Sequence, residues 1–293
     1  MTLRWLTLAL TGLNLMLAAA LPATAVAIEL ACPPGETATP TATPAAMLPT
    51  EAAWPDGEVE LTIFAASSLT DAYAEIADAI ETTHPNVTIV VETAGSQTLV
   101  TQLSEGARAD VLATANTSTM QQAQDSDLLD GSPVPFVANR LVIVTSQENP
   151  AGIEGIEDLT GDDIRLVIAA EDVPAGRYAR TAICAWAGDD EAARAAIGDN
   201  VVSEEIDVRS VMAKVQLGEA DAGIVYASDA ASAERSGGSP HVIEFPDGVP
   251  VTATYPIAPV AGGDSDAANA FIAFVLSDEG QRILESHGFT PVS

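Results

Sequence analysis

Residues 58–80, EVELTIFAASSLTDAYAEIADAI, contain the two patterns from which the fold is built. The first nine residues are apolar and rich in β-branched side chains, which is typical of a buried strand. The apolar residues that follow recur at the spacing of one helix face: Leu69, Ala72, Tyr73, Ile76, Ala77 and Ile80. This stretch therefore predicts a strand that leads through a serine junction into an amphipathic helix.

Strands and helices continue to alternate along the rest of the chain. The pattern predicts further strands at residues 86–93, 109–113, 140–145, 165–169, 222–226 and 256–260. It predicts further helices at residues 98–103, 175–186, 208–217, 265–276 and 278–287. Short, nearly continuous apolar strands between amphipathic helices favour a parallel sheet covered on both faces, so the predicted fold class is α/β.

The composition limits the possible functions. The 293 residues include 11 Lys and Arg against 42 Asp and Glu, so the formal net charge is −31. A surface this acidic repels phosphate backbones and anionic membranes, which excludes nucleic acid as a partner. The histidines and cysteines lie far apart, without the short spacings of zinc or haem sites, and we expect no cofactor and no direct metal ligands. At about 150 residues per domain, the length suffices for two lobes.

The N-terminus has the composition of an export signal. Arg4 precedes an apolar run at residues 5–21, and two A-x-A cleavage patterns follow within residues 23–27. Residues 1–27 are therefore predicted to be a signal peptide, and the mature protein is expected in the periplasm or cell envelope. Residues 28–57 are rich in Thr, Pro and Ala and are predicted to form an extended tether.

Cys32, at the start of this tether, has three possible states. A cysteine in this place suggests a lipid anchor, for which Ala31 is suitable and the charged Glu29 is not. The oxidising compartment also allows a disulfide with Cys184. Two free thiols are the third possibility, and the sequence does not decide among them.

The junctions between strands and helices carry neutral hydrogen-bond donors. In α/β sheets, ligands bind beyond the carboxyl ends of the strands, where helix N-termini present unpaired N–H groups. Each junction by itself has an ordinary structural explanation: a serine can cap a helix, and a tyrosine can be a core aromatic with a satisfied hydroxyl. Together they predict a site where hydroxyls and helix N-termini converge on an anion. The junctions are Ser67-Ser68, Gly95-Ser96, residues 173–176, Asp207-Val208 and Tyr226.

Six segments, in order and spacing, resemble the molybdate-binding proteins of molybdate ABC importers. They are residues 64–72 (FAASSLTDA), 94–99 (AGSQTL), 109–111 (ADV), 172–179 (DVPAGRYA), 207–209 (DVR) and 223–230 (GIVYASDA). In that family two serines, backbone amides and one tyrosine hydroxyl hold the oxyanion. The resemblance assigns these roles to Ser68 and Ser96, to the amides at Ala175 and Val208, and to Tyr226. Two residues differ from the usual pattern: Ser67 stands where alanine is common, and Gln97 where a small residue is common.

The resemblance also implies an architecture. It is a two-lobed periplasmic-binding-protein fold, type II-like, with the ligand in the cleft between the lobes. Residues 58–138 and 256–293 would form lobe one, and residues 139–255 would form an inserted lobe two. The chain would cross between the lobes near residues 139–140 and 255–256. The expected protein is a monomer without enzymatic activity, which binds molybdate or tungstate and delivers it to a membrane ABC permease.

Two alternatives remain at this point. The first is a binding protein for another tetrahedral oxyanion: phosphate is disfavoured because its O–H group finds no acceptor among the five contacts, while sulfate differs from molybdate mainly in size. The second is a secreted serine hydrolase with Ser68 or Ser96 as nucleophile. Neither serine lies in a G-x-S-x-G motif.

Three arginines lie near the motifs: Arg177, Arg180 and Arg209. They are either solvated charges on helix surfaces or a source of local positive potential.

Overall fold

The computed structural model describes residues 30–33 and 53–292. The predicted signal peptide at residues 1–27 lies outside these residues, as do residues 34–52 of the predicted tether. In the part of the chain that is described, no helix is both long enough and apolar enough to cross a bilayer.

The described residues form nine strands and nine α-helices that alternate along the chain. The strands are β1 (Val59–Ala66), β2 (Val87–Ala94), β3 (Val111–Ala113), β4 (Val134–Thr145), β5 (Leu166–Ala169), β6 (Val201–Glu205), β7 (Ala222–Tyr226), β8 (His241–Ile243) and β9 (Thr252–Pro259). The helices are α1 (Thr70–Thr83), α2 (Ser96–Ser104), α3 (Thr117–Asp125), α4 (Pro174–Ala187), α5 (Glu191–Asp199), α6 (Val208–Gln216), α7 (Ala227–Arg235), α8 (Ser265–Leu276) and α9 (Asp278–Ser286). The predicted α/β class is confirmed.

The strands are hydrogen-bonded in the order β2-β1-β3-β9-β4-β7-β5-β6, and β8 pairs with β4. The prediction of a parallel sheet is wrong for the middle of this order. Strand β9 runs antiparallel to β3 and to β4, and β4 runs antiparallel to β7 and β8. Apolar runs report that both faces of a strand are buried, but they do not report its direction.

Strand β4 changes partners along its length and divides the sheet into two halves. Residues 134–140 pair with β9, whereas residues 141–145 pair with β7 and β8. We call β1, β2, β3 and β9 the first half-sheet, and β5, β6, β7 and β8 the second half-sheet. Both halves present the carboxyl ends of parallel strands, β1 and β2 in the first and β5 and β6 in the second, which is where the junctions with helices lie.

Five elements do not follow from the sequence pattern: α3, α5, α7, β6 and β8. Helix α3 shows the reason, since its sequence TSTMQQAQD contains few apolar residues. It is held instead by Asn116, whose side-chain oxygen accepts the N–H of Thr119 at 3.0 Å. Packing and capping decide such elements, and both depend on residues outside the segment.

The structure settles the state of Cys32, which forms a disulfide with Cys184 on α4. The suggested lipid anchor through Cys32 is wrong for this structure, because a sulfur that is bonded to a second cysteine is not available for a lipid thioether. Leu30, two residues before, is buried in the main core. Residues 30–33 of the predicted tether are therefore held to α4 by the disulfide and to the core by Leu30.

Candidate anion-binding site

The five residues that the sequence predicts for the site line one pocket between the half-sheets. The pocket is bounded by these residues and six neighbours: Ala66, Ser67, Ser68, Gly95, Ser96, Ala115, Val173, Pro174, Ala175, Val208 and Tyr226. Each predicted residue is nearly fully buried, from 1% exposed at Ser96, Ala175 and Tyr226 to 6% at Ser68. The structure thus brings together residues from distant parts of the chain.

The first half-sheet contributes two serine hydroxyls. Ser68 lies in a short 3-10 turn, Ser67–Leu69, directly after β1, and Ser96 is the first residue of α2. Neither hydroxyl caps its helix, so the capping explanation of these serines is wrong. Ser68 Oγ lies 2.9 Å from the Tyr255 hydroxyl, and Ser96 Oγ accepts the N–H of Ala115 at 3.0 Å.

The second half-sheet contributes two helix N-termini. Helix α4 begins at Pro174, and its first turn includes Ala175 and Gly176. A Cβ atom at Gly176 would collide with the carbonyl oxygens of Ala169 and Ala170, so only glycine lets this turn lie against the end of β5. The first N–H groups of a helix have no partner within it and favour a negative charge nearby.

Helix α6 supplies the second N-terminus at Val208. Asp207 caps it, since its carboxylate accepts the N–H of Ser210 at 2.8 Å. This bond satisfies the third backbone amide of the helix and leaves the first two amides free to face the pocket. The amides at Ala175 and Val208 therefore approach the pocket from two helices.

Tyr226 ends β7, and its ring packs edge-on against the Tyr255 ring, with 5.8 Å between the ring centres. Its hydroxyl is buried and has no hydrogen-bond partner among the described residues. The Tyr255 hydroxyl interacts with it from nearby, so the role of Tyr226 as a ligand stays a prediction. Burial raises the pKa of the Tyr226 hydroxyl well above its ordinary value, so the group stays neutral and keeps its proton for donation.

Charged side chains lie around the pocket but do not line it. Arg209 contacts Asp71 Oδ2 at 2.5 Å and Ser232 Oγ at 2.9 Å. Burial would raise the pKa of Asp71, but the hydrogen bonds from Ser232 and Arg209 outweigh it and hold that pKa below its usual value.

Arg180 is buried rather than solvated. It donates to the carbonyls of Ala169 and Gly176 at 3.0 Å and so fixes the first turn of α4.

One carboxylate lies close behind Tyr226. Asp229 is 3% exposed, and its Oδ2 accepts the N–H of Tyr226 at 3.2 Å. Burial raises the pKa of Asp229 to about 7, against the opposing effect of Arg209. Asp229 is therefore partly protonated near neutral pH, which reduces the negative charge behind the pocket.

Contacts across the pocket hold the half-sheets together. Gln97 on α2 donates from Nε2 to the carbonyl of Ile206, which precedes α6, at 3.0 Å. An ideal Cβ atom at Gly95 would lie only 2.6 Å from the same carbonyl oxygen. Glycine at position 95 permits the two half-sheets to approach each other closely. The Gln97 side chain, predicted only to make the rim more polar, connects them.

The histidines lie elsewhere. His287 Nε2 is 2.8 Å from Glu75, and the ring of His84 packs 5.7 Å from Trp54. Within residues 30–33 and 53–292, no three His, Cys, Asp or Glu side chains form a group suited to a metal ion. The chemistry that the pocket offers is donation of neutral hydrogen bonds.

Sequence reasoning missed two polar residues beside the site. The sequence marks Tyr255 and Asn139 only as positions where the chain crosses between lobes, yet Tyr255 contacts Ser68, and Asn139 donates to the Tyr255 oxygen at 3.3 Å. Tyr255 lies 187 positions from Ser68, so no local pattern connects them. The only available signal was the unusual presence of Asn and Tyr in otherwise apolar strands.

A family of known proteins and several solved structures resemble this chain. The family model described as bacterial extracellular solute-binding protein matches residues 61–290. The molybdate-binding protein ModA of Mycobacterium tuberculosis is 36% identical over 234 residues, which are 80% of this chain and 85% of that protein. A substrate-binding domain from Clostridium difficile, assigned to a molybdenum ABC transporter, is 31% identical with a TM-score of 0.60 and covers 80% of this chain and 100% of that one.

The chain belongs to the bacterial extracellular solute-binding proteins, in the group of the molybdate-binding proteins. A similar fold occurs in a more distant protein. The sulfate-binding protein SubI of Mycobacterium tuberculosis has a TM-score of 0.70 at 18% identity, covering 80% of this chain and 88% of that one. At this identity the likeness concerns the fold alone.

Proposed function

We propose that the protein captures molybdate, and also tungstate, outside the cytoplasmic membrane and delivers it to an ABC permease. The proposed ligands are the hydroxyls of Ser68, Ser96 and Tyr226 and the amides at Ala175 and Val208. The observation that carries the proposal is that all five line one buried pocket. A tetrahedral dianion without protons needs donors on every side, and this pocket supplies them.

Capture requires the two half-sheets to move apart and together as lobes. We assign residues 58–138 and 256–293 to lobe one and residues 139–255 to lobe two, with the hinge where β4 and β9 pass between them. The partner change of β4 after residue 140 supports this division. The closed, loaded form is the one that a permease would recognise, and the protein acts as an exported monomer.

Sulfate is the nearest competing ligand, and the distant likeness to a sulfate-binding protein is a reason to test it. Both anions are unprotonated dianions near neutral pH, so the donors do not distinguish them. The shorter bonds of sulfate leave it unable to reach all donors of a pocket built for molybdate. Tungstate has nearly the size of molybdate and should bind equally well.

A hydrolase is the competing function of another class, and the contacts of the serines do not favour it. A serine nucleophile needs a histidine or another base within hydrogen-bonding reach. Ser68 contacts Tyr255 and Ser96 contacts the Ala115 amide, while the histidine nearest the C-terminus is engaged by Glu75. We therefore propose that the protein is not an enzyme.

Calorimetric titration of the mature protein with molybdate, tungstate, sulfate and phosphate tests the proposal. We expect strong heat with molybdate and tungstate and much weaker binding of sulfate and phosphate. Tight binding of phosphate without a response to molybdate would show that the pocket serves another anion. An esterase assay on the same sample, with a generic ester substrate, should give no turnover above the buffer.

A further inference from the structure

Four buried polar side chains form a chain of hydrogen bonds where β4 and β9 cross behind the pocket. Asn139 Nδ2 lies 2.8 Å from Ser228 Oγ and 3.3 Å from the Tyr255 hydroxyl, which lies 2.9 Å from Ser68 Oγ. Each of these residues is at most 6% exposed. The chain connects a proposed ligand of lobe one, through the hinge strands, to the start of α7 in lobe two.

The direction of these bonds is fixed at Asn139. The backbone N–H of Arg140 donates to Asn139 Oδ1 at 2.9 Å, and an N–H can only donate. The amide oxygen therefore faces the backbone, and the amide nitrogen faces Ser228 and Tyr255. Because this nitrogen is also only a donor, the Tyr255 oxygen accepts from Asn139.

The Tyr255 hydroxyl has one proton, and its place follows. The buried Tyr255 proton needs an acceptor, and the Asn139 amide nitrogen cannot accept, so we assign this proton to Ser68 Oγ, the hydroxyl's other partner within hydrogen-bonding distance. Burial raises the pKa of Tyr255 well above its usual value, so the proton is retained. Ser68 thus accepts from Tyr255, and its own proton is free to turn into the pocket.

Ser96 reaches the same state by a simpler route. Its Oγ accepts the backbone N–H of Ala115 at 3.0 Å, and this donor cannot be reversed. Both serines therefore have an oxygen lone pair occupied from behind and a proton available in front. The backbone fixes this polarity at Ser96, whereas at Ser68 it depends on two side chains.

We propose that Tyr255, oriented by Asn139, is a positioning residue that sets Ser68 as a hydrogen-bond donor and so favours unprotonated oxyanions over protonated ones. The inference rests on the proposed function. Without Tyr255, the Ser68 hydroxyl is free to rotate and to accept the P–OH group of monohydrogen phosphate. With Tyr255 in place, such an anion leaves its O–H unpaired, which is costly in a buried pocket.

The test is Tyr255→Phe, measured by calorimetry at pH 8 with molybdate and, in competition, with monohydrogen phosphate. Losing one net hydrogen bond should weaken molybdate binding about three- to ten-fold and leave phosphate binding unchanged or stronger. A residue with a purely structural role would lower the melting temperature without changing the ratio of the two affinities. Asn139→Ala should give a smaller change of the same sign, and it serves if Tyr255→Phe does not fold.

A double-mutant cycle isolates the coupling to Ser68. In a Ser68→Ala background, Tyr255→Phe should have no further effect on molybdate affinity. In a Ser96→Ala background, it should keep its full effect. Equal losses in both backgrounds, or an unchanged ratio of molybdate to phosphate affinity, would overturn the inference. Absence of molybdate binding by the parent chain would instead reject the proposed function.

Discussion

The anion pocket consists of neutral groups, whereas the cluster at the edge of the cleft contains charged side chains. The pocket is lined by small apolar residues, hydroxyls and backbone amides, and none of its lining side chains is charged. We call Asp71, Arg209 and Ser232 the edge cluster; there a guanidinium and a carboxylate contact each other directly. Two of the arginines near the pocket, Arg180 and Arg209, are thus already paired with carboxylates of the protein itself.

This difference follows from the composition. The chain has 42 acidic residues against 11 basic ones, and Arg140, Arg165, Arg180 and Arg209 each contact a carboxylate. A dianion cannot depend on such a cation without breaking an existing ion pair. Neutral dipoles that the fold holds in place, in a pocket shielded from water, can stabilise the dianion without that competition.

Asp229 lies between the two regions, and its replacement should have the largest effect on stability. Its pKa is about 7 in the folded protein against 3.8 as the ordinary value, so the folded state binds the proton more tightly. The free energy of unfolding therefore falls as pH rises from about 4 to 7 and then levels off. Asp229→Asn removes this loss of stability, and we expect the variant to be about 4 kcal/mol more stable than the parent at pH 8.

Denaturant unfolding at pH 5 and pH 8 measures this prediction. Asn closely resembles a protonated Asp, so the two proteins should be similar at pH 5 and diverge at pH 8. The difference between variant and parent cancels the contributions of the other carboxylates. A variant that is destabilised equally at both pH values would show that Asp229 is charged and needed in that form.

Tyr226→Phe should have the largest effect on affinity, and it tests the pocket. The change removes one donor to a dianion and leaves the ring in its aromatic contacts, so binding of molybdate should weaken about ten- to a hundred-fold. Since the hydroxyl has no partner among the described residues, the unliganded protein should lose little stability. An unchanged dissociation constant would mean that Tyr226 is only a core aromatic.

Ser68→Ala and Ser96→Ala should have smaller effects, about ten-fold each, because a water molecule can occupy the space of a lost hydroxyl and donate in its place. The readout is the rise in melting temperature that molybdate causes, which depends on the ratio of ligand concentration to Kd. Ser67→Ala tests the register, since the resemblance assigns the contact to Ser68. A lost rise in Ser67→Ala with a normal one in Ser68→Ala would shift the predicted contact by one residue.

Much of the site could be predicted because it is built from junctions. A strand that ends at Ser67-Ser68 and a helix that begins at Ser96 are local patterns, and parallel strands bring such patterns to one edge of a sheet. The five predicted residues meet in one pocket for this reason. Their role as ligands remains a prediction.

The parts that the sequence did not reveal depend on distant partners. The direction of β9 is set by its neighbours β3 and β4, and its apolar residues fit either direction. The roles of Tyr255 and Asn139 appear only when β4 and β9 are paired. The burial of Arg180 does not follow from the sequence because its partners, the carbonyls of Ala169 and Gly176 and the carboxylate of Glu204, lie on other elements or on the backbone.

The smallest expected effect concerns the edge cluster, and its sign distinguishes two roles for Arg209. The ion pair with Asp71 is partly exposed, with about a third of each side chain accessible, so it should contribute little. If Arg209 acts on the anion directly, Asp71→Asn frees it and strengthens molybdate binding. If the cluster instead holds the cleft closed, since α1 and α6 lie on opposite sides of it, Asp71→Asn weakens binding. We expect the second result, a loss of about two- to three-fold in molybdate affinity, in Asp71→Asn and in Arg209→Gln alike.

Titrations at low and high salt complete the test. Added salt should abolish these losses, because it screens partly exposed charges, and it should leave the loss in Tyr226→Phe unchanged. Stronger binding by Asp71→Asn would show that a paired arginine does contribute to the anion site, and the contrast between the two regions would then be wrong.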